Sequence, residues 1–358
     1  MRMDWLDILT LIAAVLAILH YGSLIFKWLK ARGTEASTTG SKRDKVLGIS
    51  YAILCAGLWS ISYTSLSIAV PKADIWEANV VLLGIATLTF LVLLQLHKPL
   101  CKFIVPLAKH QSTLVSQPAT LHWKKLGTWL TLTGNIFSFL LFIFALYYIS
   151  ASQSIALQKT NPIFAAILGT VILRRKVPVT SWTTIFFVLI GSFLIINDFT
   201  KTQDFFQMED NTFGSLLALG AGFSFALFSI GLEKSSNYYQ SYVSRLRFLL
   251  IIFFFSFVIV LTFAYYFGSL PKIDEAANWI FIFNGIRIAV VYLLFWAAIE
   301  RIGTLAALIL VSLEVPLTII WDYLWLGLTP PYYLIIGAII IILGGITLTL
   351  QRQLNEKS

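Results

Sequence analysis

Charge is the scarcest thing in this chain. Only 12% of its 358 residues are charged, against 58% hydrophobic. An ordinary soluble domain runs at roughly 25% charged residues. A chain this apolar needs lipid to solvate its outside. Cysteine is nearly as scarce. Cys55 lies inside an apolar stretch and Cys101 at the end of one, so neither a disulfide framework nor a metal cluster is indicated. The four histidines are scattered, and His20, the one in an apolar run, needs no more than a packing role. There is no phosphate-binding glycine loop, no metal-ligand spacing and no nucleophile elbow. No cofactor, metal or catalytic residue is therefore expected, and an ATP-driven pump is disfavoured for this chain alone.

What is abundant is the apolar block of about 20 residues, the length that crosses a ~30 Å hydrocarbon core. Eleven can be counted, near 5–26, 46–70, 78–96, 128–150, 151–173, 181–197, 213–232, 248–268, 279–300, 303–327 and 332–350. The first is too long for a signal-peptide core, and ARGTEASTTGS after it offers no small-residue cleavage site. It reads as a retained helix.

The formal charge of +9 does not point to nucleic acid, because of where it falls. Twenty of the 26 Lys and Arg lie on one side of the predicted spans, in stretches such as Lys27–Lys45, Lys98–Lys125 and Arg174–Lys176. Arg2, Lys72, Lys201 and Lys272 fall on the other side, and Lys159 and Arg287 lie inside helices. The positive-inside rule then puts the N-terminus outside and the C-terminus in the cytoplasm, in a membrane of the bacterial inner type. An odd helix count follows independently of hydropathy.

Without block 5–26, ten blocks divide five and five. GISYAILCAGLWS (48–60) lies over GSLLALGAGFSFA (214–226), matching Gly48 with Gly214, Ala52 with Ala218, Ala56 with Gly222 and Trp59 with Phe225. Small residues at every fourth position let helices approach closely in lipid. The fifth helices also match, FVLIGSFLI (187–195) with IIILGGITL (339–347). Because five is odd, the second half enters the membrane from the opposite side. The expected fold is all-α and integral to the membrane: an extra N-terminal helix and basic loop (1–45), two inverted five-helix repeats (46–197 and 213–350) and a short tail (351–358).

Two stretches carry the functional signal, ALYYISASQSIALQKTNPIFAAILG (145–169) and AIERIGTLAALILVSLEVPLTIIWDYLWL (298–326). Each joins two apolar helices through a short turn and places polar or ionisable groups just before a proline, Pro162 or Pro316. Proline-interrupted helices at matching places in two halves point to a transport site. The prolines are expected to act as hinges, each freeing a carbonyl at about 3 kcal/mol in a plain helix interior. A charge near mid-membrane costs about 2.5–3.5 kcal/mol on insertion scales, so it is paired or used. Glu314 is placed closest to the midplane, Lys159 and Arg287 about a third of the way in, and Asp322 nearer the outer end. Two readings stand: Glu314 neutralises Lys159 or Arg287 as a structural pair, or at least one of the three binds solute or couples a proton. Asn135, Gln158, Asn161 and Asn284 supply hydrogen bonds, and Trp59, Tyr63, Tyr292 and Trp296 are candidate cavity walls.

The chain resembles the EamA-type permeases of the drug/metabolite transporter superfamily. The resemblance rests on G-x-x-x-A-x-x-x-A-x-x-W from Gly48 to Trp59, on ALYYISAS and NPIFAAILG with Pro162, and on AIERIGTLAALILVSLEVP with Pro316. It spans about 46–350, and block 5–26 is an addition to the usual ten-helix pattern. Where many members end the fourth and ninth helices in a glycine or leucine followed by Glu, this chain has LRRK (173–176) and LGLTP (326–330). The resemblance implies a carrier for a small organic metabolite with a central cavity between the repeats. The expected function is a secondary transporter working by alternating access, with protons a candidate coupling ion. The rivals are a membrane-embedded enzyme or flippase for lipid-linked substrates, and a non-transporting scaffold or sensor of the same fold.

Overall fold

A computed structural model describes residues 40–73, 75–96, 125–149, 151–174, 179–196, 209–239, 241–267 and 275–327, together with 335–337, 339–340 and 343. Block 5–26, His20, Cys101 and the 351–358 tail lie outside the described residues. Eleven helices are described: α1 Gly40–Ala69, α2 Ile75–Gln95, α3 Leu126–Tyr148, α4 Ala151–Gln158, α5 Asn161–Ile172, α6 Val179–Ile196, α7 Glu209–Ser236, α8 Tyr242–Tyr266, α9 Glu275–Ile302, α10 Thr304–Val311 and α11 Glu314–Leu326. No strand occurs among the described residues.

Eight spans are long and apolar enough to cross a membrane. Two of them, Ser154–Ile172 and Thr304–Leu326, are built from broken pairs, α4 with α5 and α10 with α11. These eight coincide with eight of the eleven expected blocks. Block 181–197 falls on α6, whose apolar part, Trp182–Gly191, is shorter. Of block 332–350 only a few residues are described. The outward faces carry exposed Leu88, Val171, Phe186, Leu216 and Phe255, as a lipid-solvated surface allows.

The ends of the helices have local causes. Ser241 and Ser244 form a reciprocal capping box at the start of α8. Gly303, at φ 79°, turns α9 into α10 with no longer linker, and Gly327, at φ 65°, closes α11. Ile149, in extended conformation, ends α3 two residues before α4 begins. Both short turns expected between 145 and 304 are therefore present.

Glycine sets the tightest contacts. A Cβ at Gly134 of α3 would lie 2.3 Å from the Phe228 amide nitrogen of α7, and one at Gly231 would lie 2.5 Å from that of Thr131. The two backbones touch, as small residues permit in lipid. The first helix of each half also packs on the third helix of the other. A Cβ at Gly48 would lie 2.7 Å from Cβ of Arg301 and 2.8 Å from Cγ2 of Ile302 at the end of α9. One at Gly214 would lie 2.7 Å from Cβ of Tyr148 and 2.8 Å from Cγ2 of Ile149 at the end of α3. Ala52, Ala56 and Ala218 are fully buried beside them. The helix-packing role read from these small residues is the one they have.

Candidate functional site

The two breaks meet. α4 ends at Gln158, Lys159 and Thr160 form a turn, and α5 starts at Asn161. α10 ends at Val311, and α11 starts at Glu314. Lys159 and Glu314, 2% and 0% exposed, form an ion pair that ties one break to the other. Of the two partners open to Glu314, Lys159 is the one it takes.

The prolines occupy a different place from the helix interior expected of them. Pro162 lies in the first turn of α5, and Pro316 is the third residue of α11. A helix's first amides have no intrahelical acceptor, so proline loses nothing there. Each proline opens a second helix after a break instead of kinking a continuous one. Pro162 cannot donate to the Gln158 carbonyl, and Gly222 of α7 packs against that oxygen, where a Cβ would come within 2.8 Å.

Arg287 on α9 sits apart from the pair. It is 6% exposed. Its Nη1 donates to the Leu58 carbonyl at 3.1 Å, its Nη2 to Ser62 Oγ at 2.5 Å, and its Nε to Asn284 Oδ1 at 3.3 Å. Ser62 in turn donates to Asn284 Oδ1, and Asn284 Nδ2 donates to Ser65 Oγ at 3.0 Å. α1 and α9 are thus joined by a polar ladder inside the membrane. The α1 hydroxyls were not singled out from the sequence. Their signal is WSISYTS at 59–65, with four serine or threonine hydroxyls, Ser60, Ser62, Thr64 and Ser65, in the six positions 60–65. Thr64 also donates to Asp322 of α11 at 2.6 Å, and the Trp321 indole donates to Ser60 at 3.1 Å.

Between these groups lies a cavity of about 40 Å³, lined by Trp59, Ser62, Tyr63, Gln158, Phe225, Arg287, Tyr292 and neighbouring apolar side chains. At ~10–15 Å³ per water, it has room for about three. Its walls are aromatic edges: Trp59 stands at 5.5 Å from Phe225 and 5.9 Å from Tyr292, each edge-on, and Tyr63 at 5.1 Å from Phe142. Trp59 and Phe225, equivalent in the two halves by alignment, are therefore in contact. The Tyr63 hydroxyl donates to Gln158 Oε1 at 3.3 Å.

Five of the predicted site residues, Trp59, Tyr63, Gln158, Arg287 and Tyr292, line this cavity. Lys159 and Glu314 lie at the breaks. Three predicted residues have other surroundings. Asn135 donates to Ser256 of α8 at 2.9 Å. Trp296 donates to Ser236 at 2.6 Å and packs edge-on to Phe248, beside the Arg245–Glu300 ion pair at 2.6 Å. Asn161 is fully buried at the start of α5, and neither its amide nitrogen nor its oxygen has a hydrogen-bond partner among the described residues. Cys55 packs α1 on α9, its Sγ 3.5 Å from the Val291 carbonyl.

With the geometry in view, the similarities to known proteins can be placed. The model of the EamA-like transporter family matches residues 46–197 and 212–350. An uncharacterized transporter, YxxF, of Bacillus subtilis is 26% identical over 208 residues, 57% of this chain and 63% of that protein. A riboflavin transporter of Vibrio cholerae is 26% identical over 209 residues, 57% of this chain and 64% of that protein. The matched region thus spans just under two thirds of each relative's length. A crystal structure of a protein, with no function in its description, superposes at a TM-score of 0.59 and 15% identity, covering 87% of this chain and 99% of the other. That likeness is one of fold.

Proposed function

The chain belongs to the EamA-like transporter family, and on that premise we propose that it is a secondary carrier moving a small organic solute through the aromatic cavity by alternating access. As an integral, multi-pass membrane transporter it has a coarse role that its family and its transporter relatives already give it. The solute site and the mechanism belong to the proposal. The observation that carries it is the meeting of two broken spans at Lys159 and Glu314, beside a cavity lined from both halves. Broken helices facing each other at mid-membrane are the arrangement secondary transporters use for solute and coupling ion.

Inverted repeats are part of the proposal. The reciprocal packing of Gly48 on α9 and Gly214 on α3 supports it, as does the contact of Trp59 with Phe225. A two-fold relation in the membrane plane brings equivalent residues together in this way. The N-terminus outside and the C-terminus in the cytoplasm follow from the basic loops. The cavity holds only a few waters, so a metabolite needs the two halves to part. The breaks are where they can bend.

The Lys159–Glu314 pair favours a latch as its role. A proton taken by Glu314 leaves Lys159 without a counter-charge in a site of low polarity and releases one break from the other. Proton coupling and structural pairing are then two phases of one cycle. The test is Glu314→Gln in proteoliposomes, with counterflow and pH-driven uptake both measured. We expect exchange to persist and pH-driven accumulation to fall at least ten-fold. Unchanged accumulation removes Glu314 from the coupling mechanism. Riboflavin, the solute named for the Vibrio cholerae relative, belongs in the first uptake panel.

A further inference from the structure

The buried charges of the site do not balance. Glu314 is matched by Lys159. Arg287 has hydrogen-bond partners but, among the described residues, no carboxylate: Leu58 gives a carbonyl, Ser62 a hydroxyl and Asn284 an amide oxygen. An unmatched guanidinium inside a membrane protein is expensive and is found where something is recognised. Among the described residues three of its five N–H groups are engaged, leaving one on each terminal nitrogen. Arg287 lines the cavity, as do Ser62, Trp59 and Tyr292. Its three existing bonds hold the guanidinium in place before any solute arrives. A planar, fixed fork with spare donors is the partner that a carboxylate matches best. The aromatic edges around it suit a flat ring.

Resting on the reading of this cavity as the solute site, we infer that the transported solute is an aromatic carboxylate and that Arg287 binds its acid group. The carboxylate supplies the missing counter-charge, and the ring lies among Trp59, Phe225 and Tyr292. A purely structural Arg287, tying α1 to α9, explains its three bonds but not its place on the cavity wall with donors to spare. Glu314, the buried carboxylate of the two breaks, is already answered by Lys159.

The experiment uses the full chain in proteoliposomes and acid–amide pairs of one shape, indole-3-acetate with indole-3-acetamide and benzoate with benzamide, alongside neutral riboflavin. Binding is read by competition and transport by counterflow. The acids should bind at least ten-fold more tightly than their amides. Arg287→Gln should erase that ratio, and Arg287→Lys should lower it at least three-fold because an ammonium lacks the fork. If Arg287→Gln does not fold, the Arg287→Lys ratio decides. Acids and amides binding alike, a ratio unchanged by Arg287→Lys, or no binding of either acid overturns the inference. Riboflavin separates the two levels. Counterflow of riboflavin without binding of acids overturns the anion assignment and leaves the carrier, whereas no counterflow of any of the five removes both.

Discussion

The two broken spans have one geometry and opposite chemistry. In the first half the break carries Lys159 and is followed by Asn161 and Pro162, and in the second it carries Glu314, followed by Val315 and Pro316. Two identical halves would bring like charges together at the centre. Divergence between them lets a cation from one meet an anion from the other. The shared backbone supplies two breaks, and the unlike side chains supply a bond between them. Arg287 belongs to the second half alone, so the site is polarised even though its frame is repeated.

The largest effect comes from breaking the unlike pair. Glu314→Ala strands Lys159, which is 2% exposed. Losing one member of a buried pair costs about 3–5 kcal/mol. Thermal unfolding of the purified protein in detergent should drop accordingly, and adding Lys159→Met should recover most of the loss. If the single variant unfolds like the wild type, the pair does not hold the breaks together.

Much of the frame could be read from residues in order. Eight of the eleven apolar blocks are helical stretches long and apolar enough to cross a membrane, and Pro162 and Pro316 mark the two breaks. Periodicity tells how long a helix is and that a proline interrupts it. It does not tell whether the proline lies in an interior or opens a new turn, because that depends on backbone geometry around Lys159 and Ser312. Nor could it choose between Lys159 and Arg287 for Glu314, since both lie at a similar depth. The hydroxyls of α1 were passed over for a different reason. Ser60, Ser65 and Ser67 bond carbonyls of their own helix, the ordinary way such residues sit in lipid. Ser62 and Thr64 instead donate across to Asn284 and Asp322, and Ser60 and Ser65 also accept from Trp321 and Asn284.

The next effect tests where the halves touch most closely. Gly134→Ala puts a methyl 2.3 Å from a backbone nitrogen of α7, while Gly57 of α1 has nothing within 4 Å of the same added atom. Forced overpacking costs about 1–3 kcal/mol, whereas Ala for Gly in a helix interior gains roughly 1 kcal/mol. Gly134→Ala should lower the unfolding temperature and Gly57→Ala should hold or raise it. Gly48→Ala and Gly214→Ala, with nearly the same neighbour distances, should cost the same. Unequal losses in that last pair would break the equivalence of the two halves.

The smallest effect is the most discriminating, because it makes one break resemble the other. Asn161 aligns with Val315 when the two prolines are matched, and both side chains are buried. Val315 asks nothing of its surroundings. Asn161 leaves both polar atoms of its amide without a partner among the described residues, at a cost of about 1–3 kcal/mol for a buried unsatisfied group. Asn161→Val removes that cost and should raise stability by about 1 kcal/mol, the lower end being apt because valine is slightly bulkier and must fit a packed site. A chain that keeps such a group against its own stability uses it during function. Counterflow should therefore fall in the same variant, by several-fold, as stability rises. Higher stability with full counterflow would make Asn161 a relic of the repeat. Lower stability would mean that the amide has a partner in the membrane, such as a buried water at the break.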